Sequence, residues 1–267
     1  MARYRLHHSL GRRAVIRQLH RWAKRHFSDV KRCSHQKLSD ALLVALLLSR
    51  LIFKHPFPSI WWNILREDRH DLPSYTQAYI RGQRLLEQLE AVATPSQSCM
   101  EVIVDSMPLP VCRPKRGKRC AFPGARWGYG TQGDVYGYKL HAWVTASGAI
   151  VQYLIRPANL HDTTVSYELN RRWPDFGGPR IIGDKGYCCL GYVFPPKRNT
   201  RYDTGWRPGR HPRLRKRIET VFSSLVEAQI RSVQTKTLRS LRLRVVLALC
   251  TGHLQVEAVL DAKFLNV

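Results

Sequence analysis

The pattern of apolar and polar positions changes character near residue 95. Before that point it has helical spacing. In the basic stretch 12–27, Val15, Ile16, Leu19, Trp22 and Ala23 recur on one helical face. "LSDALLVALLLSRLIF" is apolar nearly all round and predicts a buried helix, with Ser39 or a neighbour as its N-cap. In "HPFPSIWWNILRED" two prolines break the chain ahead of a short helix that carries Trp61 and Trp62. "PSYTQAYIRGQRLLEQLEAV" predicts one capped helix with Tyr79, Leu85, Leu86 and Leu89 turned inward. Together these segments predict a compact basic helical module over 1–95, closed by a linker at "ATPSQ", residues 93–97.

From 96 to 267 the pattern first turns to strands. "EVIVDSMPLP" is a β-branched run, and "DVYGYKLHAWVTASGAIVQYLIRP" predicts two strands joined at a Ser-Gly turn. "HDTTVSYELNRRW" predicts a helix with Asp162 as N-cap, and "GPRIIGDKGY" a further strand. After an irregular basic stretch, 195–217, come an amphipathic helix from Pro212 and a last helix over about 236–262. An antiparallel hairpin followed by strand–helix alternation predicts a mixed α/β sheet.

Charge changes what this fold can be for. Lys and Arg number 44 against 19 Asp and Glu, a formal net charge of +25, and such a field favours polyanions, nucleic acid above all. The most apolar run, "ALLVALLL" at 41–48, falls short of the roughly 18–20 residues that a membrane span needs. No secretory pattern opens the chain, so a cytoplasmic, nucleoid-associated protein with no membrane partner is expected. The seven cysteines are scattered without a Cys-x-x-Cys pair, which offers no zinc spacing and suits reduced thiols.

Three acids in this basic chain are placed for chemistry. Asp105 ends "VIVD", Asp184 ends "RIIGD", and Glu219 lies in the helix "RLRKRIETVF", 35 positions after Asp184 (219 − 184). Carboxylates at strand ends converge on one sheet edge, where hard oxygen ligands can hold Mg2+ or Mn2+ and leave positions for substrate phosphate. Blander readings stand beside this one. Either aspartate alone could be a turn former, and Glu219 could pair with Arg215 or Lys216 on its own helix. Lys139, His141 and Lys185 could touch a scissile phosphate or be solvated surface. Arg215 and Arg217 offer forks matched to phosphate oxygens. The stretch 195–217, with Tyr202 and Trp206 among basic residues, reads as a DNA-binding segment or as a loop disordered without its ligand.

Four motifs in order, "VDSMPLPVC", "YGYKLHAWVTASGAIVQYLIRPANLHD", "IIGDKGY" and "RKRIETVFSSL", resemble those of insertion-sequence transposases of the DDE type over about residues 101–250. The resemblance implies a ribonuclease-H-like catalytic domain over 96–267, preceded by the helical module at 1–95 as the DNA-binding part. It implies metal-binding acids at Asp105, Asp184 and Glu219, with two Mg2+ or Mn2+ ions. It also implies endonucleolytic cleavage and strand transfer on double-stranded DNA without a covalent protein intermediate. The DNA partners would be terminal inverted repeats and target DNA, held by a homodimer or larger synaptic complex. Some relatives flank the glutamate with tyrosine, arginine and lysine at positions that here are Pro212, Arg215 and Val226; only the arginine agrees, so the chain is more similar to the branch with a DS-x-P-x-P-V-C opening. Two rival readings are a structure-specific nuclease of the same fold and a non-catalytic DNA-binding protein derived from a transposase.

Overall fold

The structure, a computed structural model, describes residues 11–31, 33–94, 99–130, 133–173, 178–188, 191–231, 233 and 235–264. Most of the expected linker, from residue 95 on, lies outside the described residues. The chain forms two compact units: one holds the residues up to Ala93 with Glu227–Gln229 and Arg242–Thr251, the other Thr94–Val226, Ile230–Leu241 and the residues from Gly252.

The first unit is helical. Helix α1 (Arg12–Ala23) buries Val15, Leu19, Trp22 and Ala23, the stripe its spacing predicts. Helix α2 (Asp40–Ile52) is its central rod, buried on nearly every side, and Ser39 caps it by accepting the Leu42 N–H at 3.2 Å. Buried Asp40 is held by Arg81, which also donates to the Leu38 carbonyl. Helix α3 (Pro58–Asp68) starts on the proline that suits a first turn and buries Trp61, Trp62 and Leu65. The single helix expected next is two, α4 (Tyr75–Arg84) with a Ser74–Gln77 capping box and α5 (Leu86–Ala93). Leu85, Leu86 and Leu89, on either side of the break, are all buried as expected.

The second unit is built on a five-stranded mixed sheet. Strand β1 (Glu101–Pro110) lies between β3 (Gly133–Thr145), antiparallel to it, and β5 (Arg180–Ile182), parallel to it. The other edge of β3 carries β2 (Arg126–Gly130) and then β4 (Ile150–Pro157), both antiparallel. Helices α6 (Asp162–Arg171), α7 (His211–Glu227) and α8 (Leu238–Phe264) follow the expected order. This is the expected mixed α/β architecture, with a helical region ahead of it. The sequence pattern did not predict β2 or the 3-10 helix Pro114–Arg119. β5 is also shorter than expected: after Ile182 the chain leaves the sheet, and the Gly183 N–H donates to the Val193 carbonyl at 2.9 Å.

Alternation along the strands sorts side chains between two faces. Val102, Val104 and Trp143 lie on one face with Leu154, Ile181, Val165 and Leu169, forming the core beneath α6. Ile103, Asp105, Met107 and Leu109 point to the other face.

Candidate functional site

The hydrogen-bond parity of β1 explains its unusual end. The Val111 N–H donates to the Tyr136 carbonyl of β3 at 3.1 Å, so the odd-numbered residues of β1 aim their N–H groups at β3 and the even-numbered ones away. On that far side β5 pairs only as far as Ile103. Pro108 and Pro110 have no N–H to satisfy there, so prolines fit an otherwise inner strand. Ser106 does have one, and the adjacent Asp105 carboxylate accepts it at 2.7 Å.

The same register places the second acid. Ile103 of β1 lies opposite Ile182 of the parallel β5, and Asp105 and Asp184 are each two residues further on, at corresponding positions past the C-terminal end of the pairing. They are close enough to repel. Burial pushes the Asp105 carboxyl up to about 6; the Ser106 N–H opposes that, Asp184 adds to it, Arg215 eases it and Asp162 raises it further. Asp184 closes a tight turn by accepting the Gly186 N–H at 2.7 Å, so its turn role and its nearness to Asp105 coexist. Lys185, beside it, is exposed.

Arg215 reaches this neighbourhood from α7. Glu219 follows one turn later on the same helix, on the same face as Arg215, and is exposed. Among the described residues, no group of three or more His, Cys, Asp and Glu side chains is assembled to hold a metal ion. The structure therefore brings together Asp105, Asp184 and Arg215, and leaves Glu219 outside that group. The Asp105–Asp184 pair still fits a hard cation by its chemistry: two mutually repelling carboxylates, one of them desolvated.

On the opposite face of β1 lies a second polar cluster. Asp162 is the first residue of α6, and the N-cap is His161, whose ring accepts the Thr163 N–H at 3.3 Å. The expected capping role of Asp162 is thus taken by its neighbour. Its carboxylate is used instead across the sheet, accepting from Lys139 Nζ at 2.8 Å and from Ser106 Oγ at 3.0 Å. Lys139 is therefore ion-paired, with its side chain 14% exposed. His141, fully buried, lies 4.0 Å from Asp162 by its Nδ1. Burial pushes its pKa down to about 4 against the pull of Asp162, which keeps the ring neutral near pH 7. Arg217 donates to the Ala146 carbonyl in the β3–β4 turn at 3.1 Å.

Two members of this neighbourhood escaped the sequence reading. Ser106 links the two faces, with its N–H on Asp105 and its hydroxyl on Asp162. Tyr187, the last letter of "IIGDKGY", is 1% exposed, and burial together with Asp162, Asp105 and Asp184 raises its phenol well above the usual 10. The alternation of β1 was a signal for Ser106, as the residue next to an acid on the opposite face. For Tyr187 the sequence offered only its position in the motif.

The model of the family described as "Transposase DDE domain" matches residues 100–251. No curated protein and no solved structure matches the chain.

Proposed function

Because this chain belongs to the transposase DDE domain family, we propose that it binds the ends of a mobile DNA element and catalyses metal-dependent cleavage and strand transfer there. The observation that supports this most is the placement of Asp105 and Asp184 at matching positions beyond the last pair of the parallel β1–β5 ladder, with Asp105 desolvated. Asp105, Asp184 and Glu219 would hold Mg2+ or Mn2+, which when bound would supply charge neutralisation at the phosphate and activation of the attacking oxygen. Glu219 would join the pair by a shift of α7, the helix that already presents Arg215 to Asp105.

The chain's own residues set the conditions for that chemistry. Asp105 is fixed through Ser106, and Ser106 is fixed through Asp162 and Lys139, so the carboxylate is anchored from the opposite face of the sheet. Lys185 and Arg215 are the best-placed phosphate contacts; Lys139 and Arg217 would reach DNA only by exchanging the partners they hold. The helical unit would supply end recognition, and the net charge of +25 the salt-dependent, sequence-independent part of the affinity. Two ends must be joined, which calls for a dimer or larger assembly.

A non-catalytic DNA-binding role is the second reading, favoured by the absence of an assembled three-acid group among the described residues. Supercoiled DNA carrying the element ends, incubated with Mg2+, separates the two. Cleavage that Asp105→Ala and Glu219→Ala abolish, with binding retained, supports catalysis. Binding without cleavage by the wild-type chain sinks it. Cleavage that never proceeds to strand transfer would instead indicate a nuclease.

A further inference from the structure

The 3-10 helix Pro114–Arg119 and strand β2 carry features that the catalytic reading does not use. Between Arg113 and Gly133 there are six Lys and Arg and no acid. The five at 113–119 are exposed, and none of them is among the ion pairs of the described residues. Alongside them, Trp127 of β2 remains 40% exposed and Tyr129 85% exposed. Single exposed aromatics are ordinary; two on one strand face beside a dense cationic segment are not.

The arrangement is built rather than accidental. Gly117 lies flat on the Trp127 indole: a Cβ there would come within 2.2 Å of the ring, so no residue with a side chain fits without moving it. Tyr136 of β3 lies beside the indole, ring centroids 5.4 Å apart and planes tilted by 56°, so it steadies the ring without stacking on it. The basic segment and the aromatic ring are thereby held together in one surface.

Register relates this surface to the acids. Trp127 pairs with Tyr136, and Asp105 pairs with Ala142, six residues along β3 on the same face. At about 3.4 Å per residue that is about 20 Å, the length of about six nucleotides at the B-form rise. We propose that this surface binds a single-stranded segment of DNA continuous with the strand at Asp105: Lys115, Lys118 and Arg119 would contact its phosphates, and Trp127 and Tyr129 would stack on its bases. Cationic side chains interleaved with exposed rings are what unpaired strands require, because every base offers a face to stack and every linkage a charge. The proposal rests on the transposase reading only for the identity of the polyanion as DNA.

The test uses the full chain in EDTA, so cleavage does not intervene, and titrates single-stranded and duplex oligonucleotides of equal length. Tyr129→Ala, at a site too exposed to affect folding, should weaken single-strand binding by about 5-fold or more, the lower end of base–aromatic stacking. Trp127→Ala should do the same and Trp127→Phe should restore most of the loss. Replacing Lys115, Lys118 and Arg119 with alanine should lower the salt-dependence slope by about 2, from three phosphates at about 0.7 each. Unchanged affinity and slope in Tyr129→Ala and the triple variant would overturn the proposal, as would losses confined to duplex. If the wild-type chain fails to cleave while these variants still lose binding, the catalytic reading falls and this surface stands.

Discussion

Replacing Asp105 with asparagine isolates the electrostatic condition of the site from its chemistry. Asparagine keeps the oxygen that accepts the Ser106 N–H and removes only the charge. A carboxyl held at about 6 against an ordinary 3.8 ionises in place at a cost of about 3 kcal/mol, at about 1.36 kcal/mol per pH unit. The sign follows from proton binding. The folded state holds the proton more tightly than the unfolded chain, so the wild type is favoured below about pH 4 and loses stability as pH rises through about 6. In EDTA at pH 8, Asp105→Asn should therefore be more stable than the wild type by about 2–3 kcal/mol, with the difference shrinking toward zero near pH 4. Thermal unfolding read between pH 4 and 8 should show it, at about 2–4 °C per kcal/mol. Added Mg2+ or Mn2+ should raise the wild-type midpoint and leave the variant unmoved, since a ligand stabilises only the state that binds it. Parallel stability curves across this pH range, or a variant less stable at pH 8, would refute the reasoning.

Other expectations concern the supports of the site and fold. Asp162→Ala strips Lys139 and Ser106 of their shared acceptor and should cost about 1–3 kcal/mol in urea unfolding, with Asp162→Asn recovering part of it. Gly128→Ala would drive a Cβ to 2.0 Å from the Ala158 carbonyl oxygen, a backbone atom; a loss of at least about 2 kcal/mol is expected, and an unchanged midpoint would contradict that packing. Ser39→Ala removes the cap of α2 and should lower stability by about 1 kcal/mol, measurable in the same unfolding experiments.

Helices with long apolar stripes were legible because burial and period coincide: α1 and α2 are where the pattern places them, and so is the cap Ser39. β1 was legible as a β-branched run, but Asp105, expected at its end, lies inside a strand that runs on to Pro110, and Asp184 lies two residues beyond β5. β2 was not, because every position of "RWGYG" is either exposed or a glycine, and it owes its strand state to pairing with β3 rather than to its own residues. The split of α4 from α5 was hidden because it falls at Leu85 among good helix formers, where no local pattern marks a break. Asp162 shows how capping logic can shift by one residue. A histidine took the cap, and the carboxylate went to Lys139 across the sheet, a partner 23 positions earlier (162 − 139).

The helical unit is not contiguous in the chain. Arg242–Thr251 belong to it: Leu243 lies against Gly82, Arg242 pairs with Glu90, and the Cys250 thiol meets the Leu89 carbonyl. During synthesis, then, α1 to α5 leave the ribosome long before Arg242–Thr251 and lack part of their interior until that segment follows. A messenger cut short anywhere between the codons for Ala93 and Arg242 would yield α1 to α5 with the seats of Leu243 and Cys250 empty, a helical unit made in full length but not in full interior.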